Sequence, residues 1–206
     1  MPRAGLTRAV VGNEAAVIAD EIGLDRLTLA GVAERLGVRL PSLYKHIGGL
    51  DGLRRDLAVL AVRELAEALA AAAVGRAGGD ALRAIADAYR GYARTHPGRY
   101  AATIRAPAAE DVEHAVAAEA VLRTVFAVLA GYGLTGDDVV EATRALRAGL
   151  HGFVTLEAGG GFGMPQDVDR SFERLIDAFD ATLSRWATTS GAPTPAPVVA
   201  GCPPRQ

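Results

Sequence analysis

Residues 28–47 read TLAGVAERLGVRLPSLYKHI. Thr28 is a good helix N-cap, because its hydroxyl can accept an otherwise unpaired N–H of the first turn. Leu27 and Val32 stand at the spacing of a hydrophobic staple. The helix begun there should stop at Gly37, just after Leu36, since glycine tolerates the positive φ of a tight turn. A short second helix follows, with Pro41 in its first turn, where a missing N–H costs nothing. Leu43 and Ile47 are four apart and face inward with Val32, Leu36 and Val38. Pro41 and Lys45 then point away from that core, flanked by Ser42 and Tyr44. Ala33 is small enough to let the two helices approach. This spacing predicts a helix-turn-helix whose short second helix can lie in a major groove. Its free N–H groups suit a phosphate. A helical hairpin with no nucleic-acid role fits the same pattern.

Outward from this unit nearly every segment reads as helix, and no alternating run argues for a strand. A first helix is expected over about 6–22, with Val11, Ala15, Ile18 and Ile22 on its inner face. A long helix follows over about 50–74, and GRAGG at 75–79 is the clearest hinge. Further helices are expected over 80–96, 98–105 and 109–131. Another runs to Ala158 from a capping box of Thr135 and Asp138, and a last one spans 167–187. The fold class is therefore all-α. An N-terminal three-helix DNA-binding domain (1–52) is joined by the long helix to a helical ligand-binding and dimerisation domain (53–188). Residues 189–206, punctuated by proline and glycine, read as a disordered tail.

Composition narrows the classes. Half of the 206 residues are hydrophobic but only 5% aromatic, so the core must be mostly aliphatic. The net charge of −2 gives no global pull toward nucleic acid. Locally, residues 39–55 hold Arg39, Lys45, Arg54 and Arg55 against Asp51 alone, and Lys45 is the only lysine. Cys202 is the only cysteine, which excludes an internal disulfide or a cysteine metal site and fits a reducing cytoplasm. No signal peptide or membrane-spanning run is visible. A cytoplasmic protein with no membrane partner is expected.

Residues 28–47, continued by GGLDGLRRDLA at 48–58, resemble the N-terminal domain of the TetR family of transcriptional repressors. The likeness covers about residues 8–58 and is carried by Leu43, Tyr44, Lys45 and His46. It implies that Thr28 and Tyr44 contact phosphates. Arg39, Leu40, Ser42, Lys45 and His46 would face bases or the adjacent backbone, with Pro41 opening the helix. Two positions depart from the family's habit. Ile47 stands where phenylalanine is common, a conservative core change. Leu50 stands where a phosphate-binding lysine is frequent, leaving Arg54 and Arg55 as candidates to replace it. LRAGLHGFVTLEAGGGFG at 146–163 resembles a C-terminal domain of the WHG type, with Leu150 in place of the tryptophan and His151 and Gly152 matching. That likeness implies a ligand-binding, dimerising domain.

Other motifs carry less. There is no G-x-S-x-G, H-E-x-x-H or Walker loop, and GGGFG at 159–163 lacks dinucleotide-binding spacing. Asp111 and His114 lie three apart, but a helical metal site needs a second such pair, so no metal or cofactor is expected. They read as a charged first helical turn. His96 reads as a helix cap before Pro97. Tyr89, Tyr92, Ile104, Phe126 and His151 come from different helices and could converge on a small-molecule pocket, although they would equally make an ordinary core. Phe172, Leu175, Ile176, Phe179, Leu183 and Trp186 form a stripe, facing a small-residue strip of Ala148, Gly149 and Gly152. Together they suggest a four-helix bundle across a two-fold axis. The whole describes a homodimeric one-component regulator, a repressor of operator DNA released by a small-molecule effector, with the long helix as transmitter. A helical binding protein without DNA affinity and a helical enzyme are the alternatives.

Overall fold

The computed structural model describes residues 5–189. Within them the chain forms nine α-helices and no strand: α1 (Arg8–Ile22), α2 (Leu29–Leu36), α3 (Leu40–Leu43), α4 (Gly49–Ala73), α5 (Gly78–Thr95), α6 (Pro97–Ala102), α7 (Val112–Ala130), α8 (Asp137–Ala158) and α9 (Val168–Thr189). A 3₁₀ turn at Leu24–Arg26 links α1 to α2. The all-helical expectation holds. α9 runs through Thr189, and residues 190–206, where a disordered tail is expected, lie outside the described residues. No helix among the described residues is long and apolar enough to cross a membrane.

Two hydrophobic cores organise the chain. Val11, Ala15, Leu27, Val32, Leu43, Leu53 and Leu57 centre the first, and Ala102 from α6 joins them. Leu65, Leu82, Ile85, Leu129, Leu146, Phe172 and Ile176 are among the residues of the second. α4 belongs to both. Its Leu53, Leu57, Ala58 and Ala61 sit in the first core, and its Leu65 and Leu69 in the second. At about 1.5 Å per residue it is a rod of about 37 Å that neither core can release without losing a wall.

Several local expectations change. Ile22 does not share the inner face of α1: it is 38% exposed, because the helix ends there at Gly23. The capping box of Thr135 and Asp138 does not form. Gly136 is the N-cap of α8 with no side-chain bond, and Asp138 instead accepts from Trp186 Nε1 of α9 at 3.1 Å.

The stripe on α9 also divides. Phe172, Ile176 and Leu183 are sealed in the chain's own second core, because α9 must cover α5 and α8, so they have no surface to give a second subunit. Phe179 lies over Gly149, where an added Cβ would meet its ring at 2.6 Å. That glycine therefore sets the α8–α9 approach within one chain. What faces outward beside it is a strip of small groups: Ala145 and Ala148 of α8, and Ala178 and Thr182 of α9, edged by half-buried Gly152 and Leu175.

One ion cluster closes the second core. Arg90 of α5 is only 8% exposed. It donates to Glu157 at 2.9 and 2.6 Å and to Asp169 at 2.6 Å. Its guanidinium carbon lies 4.7 Å from the ring centre of Phe172 and 5.4 Å from that of Phe153. One side chain thus ties α5 to the end of α8 and the start of α9. The bonds to Arg90 hold the Glu157 carboxyl below its ordinary range. Arg90→Met should cost about 3 kcal/mol in chemical denaturation, because it leaves a carboxylate unpaired at the edge of the core. A depressed carboxyl stabilises the fold above the ordinary glutamate value of about 4.3 and loses that contribution as pH falls through the lower folded value. Thermal unfolding should therefore weaken progressively below pH of about 4.3, with a shallower decline in Glu157→Gln.

Candidate nucleic-acid interface and effector site

The N-terminal unit is built by its caps. Thr28 accepts from the Gly31 N–H at 3.1 Å to start α2. The same hydroxyl keeps its own proton to donate outward. Gly37 ends α2 in the left-handed conformation, φ 65°, and the Val38 N–H closes onto the Ala33 carbonyl at 3.0 Å. Arg35 braces α2 against α1 through Glu21 at 2.7 and 2.8 Å and Glu14 at 3.1 Å. Leu43 and Ile47 are buried as expected. α3 is a single helical turn, continued by a turn over Tyr44–His46. Thr28, Arg39, Leu40, Pro41, Tyr44 and Lys45 are exposed, and Ser42 and His46 half-buried. Tyr44, at 57% exposure, is far outside the usual burial of a tyrosine beside a core. Among the described residues neither Arg39 nor Lys45 has an acidic partner. The face is cationic, aromatic and unpaired.

Arg55 does not extend that face. It donates to Asp111 at 2.7 Å and to Glu113 at 2.7 Å, and contacts Asp56 at 3.3 Å. Asp56 also holds Arg8 of α1, and Arg63 adds a bond to Glu113 at 3.0 Å. This belt ties α1 and α4 to the start of α7. Arg55 holds Asp111 far below the usual carboxylate range, and the N-cap bond from the His114 N–H adds to that. Asp111 is thus committed to a cap and an ion pair. An open cleft of about 330 Å³ lies beside the belt, lined by Arg8, Asn13, Val59, Arg63 and Glu113 among others.

A second junction connects the two cores through α6. An added Cβ at Gly98 would lie 2.0 Å from the Ala19 carbonyl oxygen of α1, so only glycine allows this approach. Asp20, beside Ala19, accepts from the Arg99 main-chain N–H at 2.8 Å and forms an ion pair with the Arg99 side chain, Nε to carboxylate 3.0 Å. His96 Nδ1 lies 3.2 Å from the same carboxylate. Arg99 also reaches Glu64 of α4 at 3.2 Å. α4 is therefore not the only element that connects the two cores. α6 is docked on α1 and α4 while belonging to the C-terminal part.

The next residue of α6 points the other way. The Tyr100 hydroxyl lies 2.9 Å from that of Tyr89 (α5) and 2.6 Å from His151 Nδ1 (α8). Thr155 Oγ1 stands 3.5 Å from the same nitrogen. Burial pushes both tyrosine hydroxyls above their ordinary range, opposed by the positive charge of Arg147. Of the five residues expected to line a pocket, only Tyr89 and His151 come together in this chain of bonds. Tyr92 turns to α4 instead, with its hydroxyl 3.1 Å from the Ala61 carbonyl and 3.0 Å from Glu64. Ile104 is 48% exposed in the turn after α6. Phe126 is half-buried on α7, outside the hydrogen-bonded group. Tyr100, the centre of the group, is absent from the sequence-based set, since nothing local indicates how α6 folds back.

The comparisons with known proteins agree with this geometry. Residues 82–179 match the family described as "Tetracyclin repressor-like, C-terminal domain". The chain is 36% identical over 189 residues to the uncharacterized HTH-type transcriptional regulator Rv0681 of Mycobacterium tuberculosis, covering 91% of this chain and 86% of that protein. It is 34% identical to the uncharacterized HTH-type transcriptional regulator YobS of Bacillus subtilis, covering 86% and 93%. A structure of TetR from Acinetobacter baumannii AYE, in complex with minocycline, shares the fold with a TM-score of 0.69 at 23% identity, covering 89% of this chain and 99% of that one. These relatives are regulators rather than enzymes. With its helix-turn-helix at the N-terminus and its matching helical second half, the chain belongs to the TetR family of transcriptional regulators.

Proposed function

We propose that the chain is a homodimeric repressor that binds an inverted-repeat operator and leaves it when a small molecule binds between α5, α6 and α8. The observation that carries this reading is the double attachment of α6. Gly98 and Arg99 fasten it to the DNA-binding unit, while the adjacent Tyr100 joins a buried polar chain in the other domain. A ligand that displaces Tyr100 must also disturb the seating on α1. Pairing would use the outward strip of Ala145, Ala148, Ala178 and Thr182, whose small side chains let two helix pairs approach in a four-helix bundle. Gly152, Leu175 and Phe179 would edge it. A two-fold dimer would present its α3 helices to major grooves about 34–36 Å apart. Thr28 and Tyr44 would hold phosphates, with Arg39, Leu40, Pro41, Ser42, Lys45 and His46 against bases or the adjacent backbone.

Retardation of DNA fragments from upstream of the gene and its neighbours tests the core of this reading, and binding should fall steeply with salt. Lys45→Ala should weaken the specific site by about tenfold or more. Tyr44→Phe should weaken specific and nonspecific DNA alike. No binding to any such fragment, or binding indifferent to salt, counts against it.

Gly98→Ala tests the junction. The methyl group cannot fit against the Ala19 carbonyl, so α1 and α6 must part, at a cost of about 1–3 kcal/mol. Operator affinity should drop while the helical circular-dichroism spectrum is retained. Ala178→Glu places a charge in the proposed pairing face and should give a monomer in sedimentation. A clean dimer from that variant would put the interface elsewhere.

A further inference from the structure

The hydrogen-bonded group at α5, α6 and α8 has a surplus of one kind of partner. Tyr89, Tyr100 and His151 bond to one another and to Thr155, and no carboxylate bonds to any of them among the described residues. Two arrangements of the protons satisfy the chain when the imidazole is neutral. If Tyr100 donates to His151 Nδ1, then Tyr89 donates to Tyr100, and the His151 Nε2–H is left over. If Nδ1–H donates to Tyr100, then Tyr100 donates to Tyr89, and the Tyr89 O–H is left over. In either arrangement one donor at an end of the chain is unused.

Arg147 adds a full positive charge. It lies on α8 one turn before His151, on the same side of that helix. Among the described residues it has no acidic partner, unlike Arg90 and Arg99, which are ion-paired nearby. Its field reaches both buried tyrosine hydroxyls. An exposed guanidinium without an acidic partner, one turn from a hydrogen-bonded group that holds no acid, favours an anion. The second core packs beside this group.

We propose that the effector is an organic acid. Its carboxylate sits between Arg147 and the free end of the Tyr89–Tyr100–His151 chain, and its apolar body lies against the core. A carboxylate there accepts the leftover donor and neutralises Arg147, and a bidentate guanidinium–carboxylate pairing fixes its orientation. The neutral amide of the same acid has the shape but not the charge, and it brings an NH₂ to a place already rich in donors. This inference rests on the reading that a small molecule binds between these helices.

The test uses the full chain and a panel of monocarboxylic acids with aliphatic and aromatic bodies, including 4-phenylbutyrate, each paired with its amide. Binding is read by titration calorimetry and by thermal shift, and operator release by DNA retardation. Acids should bind at least tenfold more tightly than their amides. Arg147→Gln should remove that preference while leaving the unliganded melting temperature and the oligomeric state unchanged. Tyr100→Phe, which breaks the chain without altering charge, should weaken acids by less than Arg147→Gln does. If amides bind and release operator as well as acids do, the acid proposal fails and the ligand reading stands. If no member of the panel binds or releases operator, both fail. If Arg147→Gln dissociates the dimer and leaves acid binding intact, Arg147 serves the interface and the proposal is overturned.

Discussion

The interaction on which the rest depends is the seating of Gly98 against the Ala19 carbonyl. Two helix backbones meet there with no side chain between them, close enough that a methyl group would overlap the oxygen. Packed interiors do not yield continuously to such overlaps, so the seat is either made or broken. Asp20 secures it from α1 by taking both the main-chain N–H and the side chain of Arg99. The first core thereby acquires Ala102 as one of its own residues, although α6 lies far along the chain in the other domain. The angle of the recognition unit is set by this seat together with the ion belt of Arg55, Asp111 and Glu113 on another side of α4.

The two junctions differ physically, and the difference assigns them different roles. The belt is a network in which Asp56 and Asp111 are as buried as Asp20, while Arg8, Arg63 and Glu113 stay open to water and salt, so its outer pairs add little to stability. What several such pairs supply is a fixed direction for α4 relative to α7. The α6 seat is an apolar close approach reinforced by a partly buried carboxylate. Displacing it costs more, and the cost comes abruptly. A regulator needs one support that tolerates variation in ionic conditions and one that releases on a defined signal. In the proposed induction the α6 seat would have the second character.

The helix-turn-helix was legible because its determinants are local. The cap at Thr28, the left-handed turn at Gly37 and the inward pair Leu43 and Ile47 all lie within twenty residues, and each acts on its near neighbours. Long-range partners were not legible. Arg55 resembles a phosphate ligand by position and is an ion-pair partner of residues 56 and 58 positions away. The stripe of Phe172, Ile176 and Leu183 has the same periodicity whether it covers α5 and α8 or a second subunit, and in this chain it covers its own core. Asp138 resembles half of a capping box and instead accepts from Trp186. Tyr100 carried no signal at all, because its role depends on how α6 folds back between α1 and α5.

The brevity of α6 would let few residues carry the proposed coupling between the sites. In a helix of six residues, consecutive side chains diverge by about 100°, so Arg99 and Tyr100 face different domains from adjacent positions. A ligand that binds the Tyr89–Tyr100–His151 group in only one of two α6 positions shifts the balance by its differential affinity and no more. A coupling of about 1–3 kcal/mol, typical of such systems, changes DNA affinity about 5–150-fold. The Gly98 seat and the Asp20–Arg99 pair are of the right size for that difference, since each makes or breaks as a unit. A longer helix would spread the same displacement over many neighbours and transmit less of it to α1.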